Sequence, residues 1–293
     1  MILTTLLRAI HPFQIVTLLS TYALGGGLVQ YVRGIESWLD FLMGGLFLLV
    51  SVLAVAFMRL QFELNDDAAW PRGALLAEIK QTRLIIFVVT AALLTIAVTI
   101  VIGWISAGVL WQGAALLLLI LVVLGGLYYL SAVIKSLRPY QILVEVMLFV
   151  VLPPAWAYLI QSQDVHRLLS LVVIGVSPAY MAYRFLVYLQ QFGRDEKDEI
   201  LSPVTSIGWE KAMVFHNALI LLTYLMYALA ALLGFPWFLL WPVFLTLPIG
   251  LLEIWLMERV RAGGKPLWTV MQMASLSVLF LPVYLLSLAF WLR

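Results

Sequence analysis

Nine of the fifteen carboxylates of this chain lie in two short stretches, Glu63, Asp66, Asp67 and Glu78 in one and Asp195, Glu196, Asp198, Glu199 and Glu210 in the other. Basic residues accompany both: Arg72 and Lys80 in the first, Arg194, Lys197 and Lys211 in the second. A hard cation such as Mg²⁺ takes carboxylate and phosphate oxygens together, and Arg or Lys neutralises the phosphate charge that remains. Two such stretches, brought face to face, would suit a metal-bound phosphate ester. The plain alternative is a pair of solvated loops, charged because they are wet. Asp195 and Glu199 are four apart, a spacing that puts two carboxylates on one face of a helix. There is no Cys, which excludes disulfides, thiolate metal sites and Cys nucleophiles.

The elements that must position these groups are membrane helices. The chain is 64% hydrophobic and 11% charged, against roughly 25% charged in a soluble domain. Too few polar groups are present to cover a wet surface, so the solvent is largely lipid. The net charge of +2 points to no nucleic-acid partner. A spanning helix needs about 20 apolar residues, and such runs fall near 12–32, 38–58, 84–104, 108–133, 141–161, 168–189, 213–234, 236–257 and 270–292. Tight turns are expected at Ser106-Ala107-Gly108 and at Gly234-Phe235-Pro236. Nothing alternates in the manner of barrel strands. The apolar run after Arg8 and His11 continues to about Val32 without a small-x-small cleavage site, so it reads as a retained first helix rather than a signal peptide. The expected architecture is all-α, one transmembrane domain over 1–293, with nine helices in one bundle around a cytoplasm-facing cavity and with loops 59–83 and 190–212 capping that cavity.

Lys and Arg give the orientation. Thirteen of the seventeen fall at the N-terminus and in the loops after helices 2, 4, 6 and 8, three fall on the other side, and Arg184 lies inside helix 6. The positive-inside rule then predicts a cytoplasmic N-terminus and a C-terminus on the opposite side. Both acidic stretches face the cytoplasm, whereas segments 134–140 and 258–267 on that side hold far fewer acids. Four ionisable groups lie inside spans at a similar depth from the cytoplasm: Glu145, Arg184, His216 and Glu253. Intramembrane charge is costly and usually faces a cavity or a partner. Together the four suggest a polar cavity open to the cytoplasm with an apolar interior beneath it. For Glu253 the competing reading is an ion pair with nearby Arg259, and for His216 a structural hydrogen bond.

Nine helices with acidic stretches after helices 2 and 6 resemble the UbiA superfamily of intramembrane prenyltransferases, over essentially the whole chain. Four segments carry the resemblance. Leu7-Arg8-Ala9-Ile10-His11-Pro12 resembles the family's Arg…Pro approach to helix 1. Asn65-Asp66 resembles the start of its first Asp-rich motif, Asn-Asp-x-x-Asp. Leu127-Tyr128-Tyr129 with Lys135 and Arg138 resembles the Tyr…Lys-Arg stretch before helix 5. Ser202 to Gly208, with Ala212 beyond, resembles the end of the second motif. The chain departs from the family at Ala69 and Gln191, where an Asp is expected.

The resemblance implies Mg²⁺-dependent transfer of a polyprenyl group from its diphosphate to a small aromatic or lipid acceptor, as in quinone or lipid biosynthesis. It implies metal ligands among Asn65, Asp66, Asp67, Asp195, Asp198 and Glu199, with Asp66 and Asp195 central to catalysis. It implies diphosphate contacts from Arg8, Arg72, Lys135 and Arg138. Tyr128, Tyr129 and Tyr183 would stabilise an allylic cation by cation–π attraction, or else simply pack. The two lost aspartates keep open a non-catalytic relative that serves as a subunit or lipid-binding partner in a membrane complex. A transporter would show helices broken near the bilayer midplane, and Pro153-Pro154, Gly175 and Pro178 are the places to look.

Overall fold

The computed structural model describes residues 12–64, 76–162, 164 and 166–292, with the side chains of 63, 76–78, 132 and 135 outside that description. Among the described residues there are helices and no strands, and nine helical spans are long and apolar enough to cross a membrane. This is a multi-pass membrane protein. The spans are α1 Pro12–Val32, α2 Trp38–Glu63, α3 Leu76–Ser106, α4 Gln112–Val133 and α5 Ser136–Leu159. They continue with α6 Arg167–Lys197, α7 Trp209–Leu232, α8 Trp237–Arg261 and α9 Trp268–Trp291. A short helix, Pro203–Ile207, bridges α6 and α7.

Close helix packing in lipid depends on small residues, because no hydrophobic force drives apolar helices together there. The Gly25-Gly26-Gly27 run of α1 meets three partners: a Cβ on Gly25 would fall 2.5 Å from the Pro154 backbone of α5, Gly26 lies against Phe41 of α2, and Gly27 lies against Trp291 of α9. Trp291 Nε1 also donates to the Ala23 carbonyl at 2.9 Å, fastening the last helix to the first. The turn at Gly234 is as expected, with φ at +93°, a conformation that glycine adopts without strain.

α5 is not a uniform α-helix. A 3₁₀ turn, Lys135–Tyr140, leads into it, and it widens to a π-turn at Met147–Val151 before Pro153 and Pro154. Proline removes a donor from the helical ladder and crowds the preceding turn. A carbonyl freed in this way needs another donor inside lipid, and Thr21 of α1 supplies one, its hydroxyl donating to the Phe149 carbonyl at 2.8 Å. α8 likewise contains a 3₁₀ stretch, Trp241–Thr246, whereas α6 runs unbroken through Gly175 and Pro178.

Two expectations are corrected. The stretch 190–212 is not an open loop: α6 continues through Lys197, Pro203–Ile207 is helical and α7 begins at Trp209. Asp195 and Glu199 do not share a helical face, because the helix ends between them and Glu199 has a left-handed backbone with φ at +53°.

Candidate functional site

A polar layer crosses the bundle near the start of α1, the ends of α2, α4 and α6 and the start of α5. At its centre Glu145 is fully buried. Its Oε1 accepts from Gln141 Nε2 at 2.7 Å, Arg184 Nη2 at 3.0 Å and Gln14 Nε2 at 3.5 Å. Its Oε2 accepts from the Tyr180 hydroxyl at 3.3 Å and lies 2.6 Å from Arg184 Nε. Arg184 also donates to the Tyr188 hydroxyl at 3.2 Å. A buried charge is tolerated only when it is paired and hydrogen-bonded, and this carboxylate meets that condition from α1, α5 and α6.

Gln14 extends the layer to α4, where its Nε2 donates to the Tyr128 hydroxyl at 3.0 Å. Over the Tyr128 ring, 4.5 Å from its centroid, sits the guanidinium of Arg59 from α2. Among the described residues no carboxylate pairs with Arg59. Such a partly buried cation is a natural contact for an anionic headgroup. Beneath this cation–ring pair lies an apolar cavity of about 460 Å³ between α1, α2, α3, α4 and α5. Tyr128 and Tyr129 line one end of it and Phe47 and Leu118 the other.

The sequence-derived candidates fall into three groups. Arg8, Asn65, Asp66, Asp67 and Arg72 lie outside the described residues. Lys135 and Arg138 share the 3₁₀ turn at the start of α5, which packs against the short helix Pro203–Ile207. The basic stretch and the end of the second motif are thus neighbours in space. Arg138 is half-buried there. Of the described acidic candidates, Asp195 is buried, and no hydrogen bond or ion pair reaches its carboxylate among the described residues. Asp198 is exposed and lies 3.6 Å from Arg194, one turn back, and Glu199 is exposed beyond the helix end. Among the described residues no three His, Asp or Glu side chains gather around a common point. Of the second stretch, then, Asp195 is the buried carboxylate, and Asp198 and Glu199 are exposed.

The four intramembrane groups resolve into two pairs. Besides Glu145–Arg184, His216 Nε2 of α7 lies 3.0 Å from Glu253 Oε1 of α8, both fully buried. The ion pair expected between Glu253 and Arg259 is replaced by this contact. His216 has the structural hydrogen bonds weighed for it: its Nδ1 is 3.3 Å from Asn217 Oδ1, and Asn217 Nδ2 donates to Glu258 at 2.8 Å. Among the tyrosines, Tyr128 and Tyr129 border the cavity, whereas Tyr183 packs at a tilt against Phe13 with centroids 4.1 Å apart and is absent from the cavity wall. By sequence Arg59 is one of the thirteen Lys and Arg on the more positive side. Its place in "Arg59-Leu-Gln-Phe-Glu-Leu-Asn65-Asp66", six residues before the first motif, was the one signal that would have found it. No protein-family model matches the chain, and no curated protein matches it.

Proposed function

We propose that this chain is a UbiA-like intramembrane prenyltransferase, moving a polyprenyl group from its diphosphate to a small aromatic or lipid acceptor at the cytoplasmic face. The observation that carries this reading is the apolar cavity ending at Tyr128 and Tyr129, with the Arg59 guanidinium 4.5 Å above the Tyr128 ring. A prenyl diphosphate has the matching two parts, an apolar chain and an anionic head.

Arg59, with Lys135 and Arg138, would hold the diphosphate and keep it out of the apolar space. Asp195 of the second stretch and Asp66 of the first would hold Mg²⁺, which when bound supplies positive charge to the leaving group. The Tyr128 ring would face the allylic carbon as its bond to the diphosphate oxygen breaks, the electron pair departing with the diphosphate. The acceptor then forms its bond to that carbon and loses a proton to the released diphosphate or to water. The Glu145–Arg184 pair, bonded through Gln14 to the Tyr128 hydroxyl, would fix the ring so that it need not reorganise during the reaction.

A second reading, a non-catalytic lipid-binding relative, is favoured by the loss of aspartate at Ala69 and Gln191 and by the pairing of Asp198 with Arg194. One comparison separates the two. Purified protein is given long-chain prenyl diphosphates with and without Mg²⁺, beside Asp66→Ala and Asp195→Ala. Mg²⁺-dependent diphosphate release that falls in both variants supports the transferase. No release across donors, or release unchanged in both variants, leaves the lipid-binding relative.

A further inference from the structure

The two buried ion pairs of the bundle differ in kind. Glu145 faces Arg184, which does not give up its proton, and donors surround that carboxylate. Glu253 faces His216, which can give up a proton. One oxygen of Glu253 stays unengaged: Oε2 is buried, and no hydrogen bond reaches it among the described residues. The surrounding elements bring little charge to the pair. α9 and the helix Pro203–Ile207 contain no Asp, Glu, Lys, Arg or His. On α6, Tyr180, Arg184 and Tyr188 gather around Glu145, and Asp195 lies farther along, near the end of the helix. Tyr224 of α7 is near enough to Glu253 to interact with it electrostatically, and its hydroxyl lies 3.0 Å from Thr246 Oγ1. What remains is Asn217 of α7 and Glu258 and Arg261 of α8.

The hydrogen bonds fix where the protons sit. Asn217 Nδ2 donates to Glu258 Oε1 at 2.8 Å. A carboxylate only accepts, so the amide is turned with its Oδ1 towards His216 Nδ1, 3.3 Å away. An amide oxygen also only accepts, so Nδ1 carries a proton. Across the ring, Nε2 and Glu253 Oε1 are 3.0 Å apart, and a further proton lies between them. Glu258 in turn has Arg261 as a second partner, Oε2 to Nη1 at 3.4 Å, and both are about half exposed. A chain of side chains therefore runs from the fully buried Glu253 through His216 and Asn217 to solvent.

Removing the Nδ1 proton disturbs every link. The other proton stays between Nε2 and the carboxylate, whose charge attracts it. Nδ1 becomes an acceptor facing Oδ1, which is also an acceptor. Asn217 relieves that repulsion by turning its NH₂ to Nδ1, and its oxygen then meets the Glu258 carboxylate. Glu258 is left with Arg261.

We propose that His216 and Glu253 form a proton-binding site whose occupancy is read at the protein surface, through the Asn217 amide, as the choice of Glu258 between two partners. With the proton bound, at lower pH, Glu258 is held by Asn217 and Arg261 together. As pH rises the Nδ1 proton passes to water at the Glu258 end, and Glu258 pairs with Arg261 alone. The site stands apart from the proposed diphosphate contacts and needs none of them.

The chain has three His, so the His216 ring nitrogens can be followed by solid-state ¹⁵N NMR of histidine-labelled protein in nanodiscs. His11→Gln and His166→Gln assign them by difference. From about pH 5 to about pH 9, a span that includes the ordinary range of histidine, Nδ1 is expected to pass from protonated to bare while Nε2 keeps its hydrogen bond. In the same samples an arginine-specific dicarbonyl reagent reads Arg261 against its exposed neighbour Arg259 by mass spectrometry, so that the pH dependence of the reagent cancels. The Arg261 to Arg259 ratio should fall by up to about fivefold as pH rises, the range that an exposed ion pair supplies. Asn217→Leu should abolish that fall while His216 still titrates. Glu258→Gln changes an exposed side chain and can meet Asn217 with either end of its amide, so Nδ1 should lose its proton about tenfold more easily. An Nδ1 that is bare throughout, or protonated throughout, overturns the site. A titrating His216 with a flat ratio in the wild type overturns the readout, and a fall that survives in Asn217→Leu removes Asn217 as the relay.

Discussion

Arg184 reaches Glu145 across 39 residues of sequence, its Nε 2.6 Å from one carboxylate oxygen and its Nη2 3.0 Å from the other. The two side chains join α6 to α5, and Gln14 and Tyr180 complete the shell around the same carboxylate. Burying two charges in a bilayer protein is expensive, and the desolvation is offset only when every lone pair finds a donor.

The pair is therefore expected to be worth little as a pair and much as an unbroken unit. Glu145→Ala would strand the Arg184 guanidinium beside Tyr188 and cost about 3–5 kcal/mol. Replacing both members by Met removes the stranded charge and should recover most of that loss. Unfolding in mixed micelles, compared over the two single variants and the double variant, checks this. Equal losses in single and double variants would mean that the pair is not coupled.

Arg59 is expected to act on substrate and not on folding, since among the described residues it lies over the Tyr128 ring and pairs with no carboxylate. A charge-assisted hydrogen bond contributes about 1.5–3 kcal/mol, so Arg59→Ala should weaken prenyl diphosphate binding by about 10- to 100-fold. The thermal midpoint should move little. Lysine keeps the charge but loses the planar stack, and Arg59→Lys should fall between. Calorimetric titration with a non-hydrolysable diphosphate analogue reads the effect. An Arg59→Ala protein that binds as tightly as wild type would remove Arg59 from the site.

How far the sequence foretold these features depends on what sets each of them. The end of the first span at Val32 is legible because lipid thickness sets how far an apolar run must extend. The end of α6 is not, because beyond the lipid its run Gln190 to Lys197 is polar and reads as a loop, although Gln, Arg, Glu and Lys are all good helix formers. Glu145, Arg184, His216 and Glu253 were visible as costly intramembrane groups. Their pairing was not, since it depends on which helices pack together, and no local pattern encodes that. Arg59 looks like any snorkelling residue at a helix end until Tyr128 is seen beneath it.

The π-turn in α5 makes a sharp prediction of its own. Thr21 supplies the hydroxyl that satisfies the Phe149 carbonyl at 2.8 Å. Thr21→Val keeps the shape and leaves that buried carbonyl unsatisfied, at a cost of about 1–3 kcal/mol. Thr21→Ser keeps the hydroxyl and should cost clearly less. Unfolding midpoints of the two variants, measured side by side, decide it. If Val and Ser behave alike, the hydroxyl is not holding the turn.

The proposed site requires the polar layer to face the cytoplasm, where prenyl diphosphates and Mg²⁺ are dissolved. The chain contains no Cys, so single Cys substitutions report side without background. Arg33 follows α1 at one end of the bundle and the exposed Glu199 follows α6 at the other. With thirteen Lys and Arg on the Glu199 side and three on the other, Glu199 is expected inside. A membrane-impermeant maleimide should then label Arg33→Cys in intact cells, and Glu199→Cys only after permeabilisation. The reverse pattern would put the Arg59–Tyr128 end of the cavity on the outer face, away from any cytoplasmic supply of prenyl diphosphate. The transferase proposal would fall with it, even though every contact within the bundle would be unchanged.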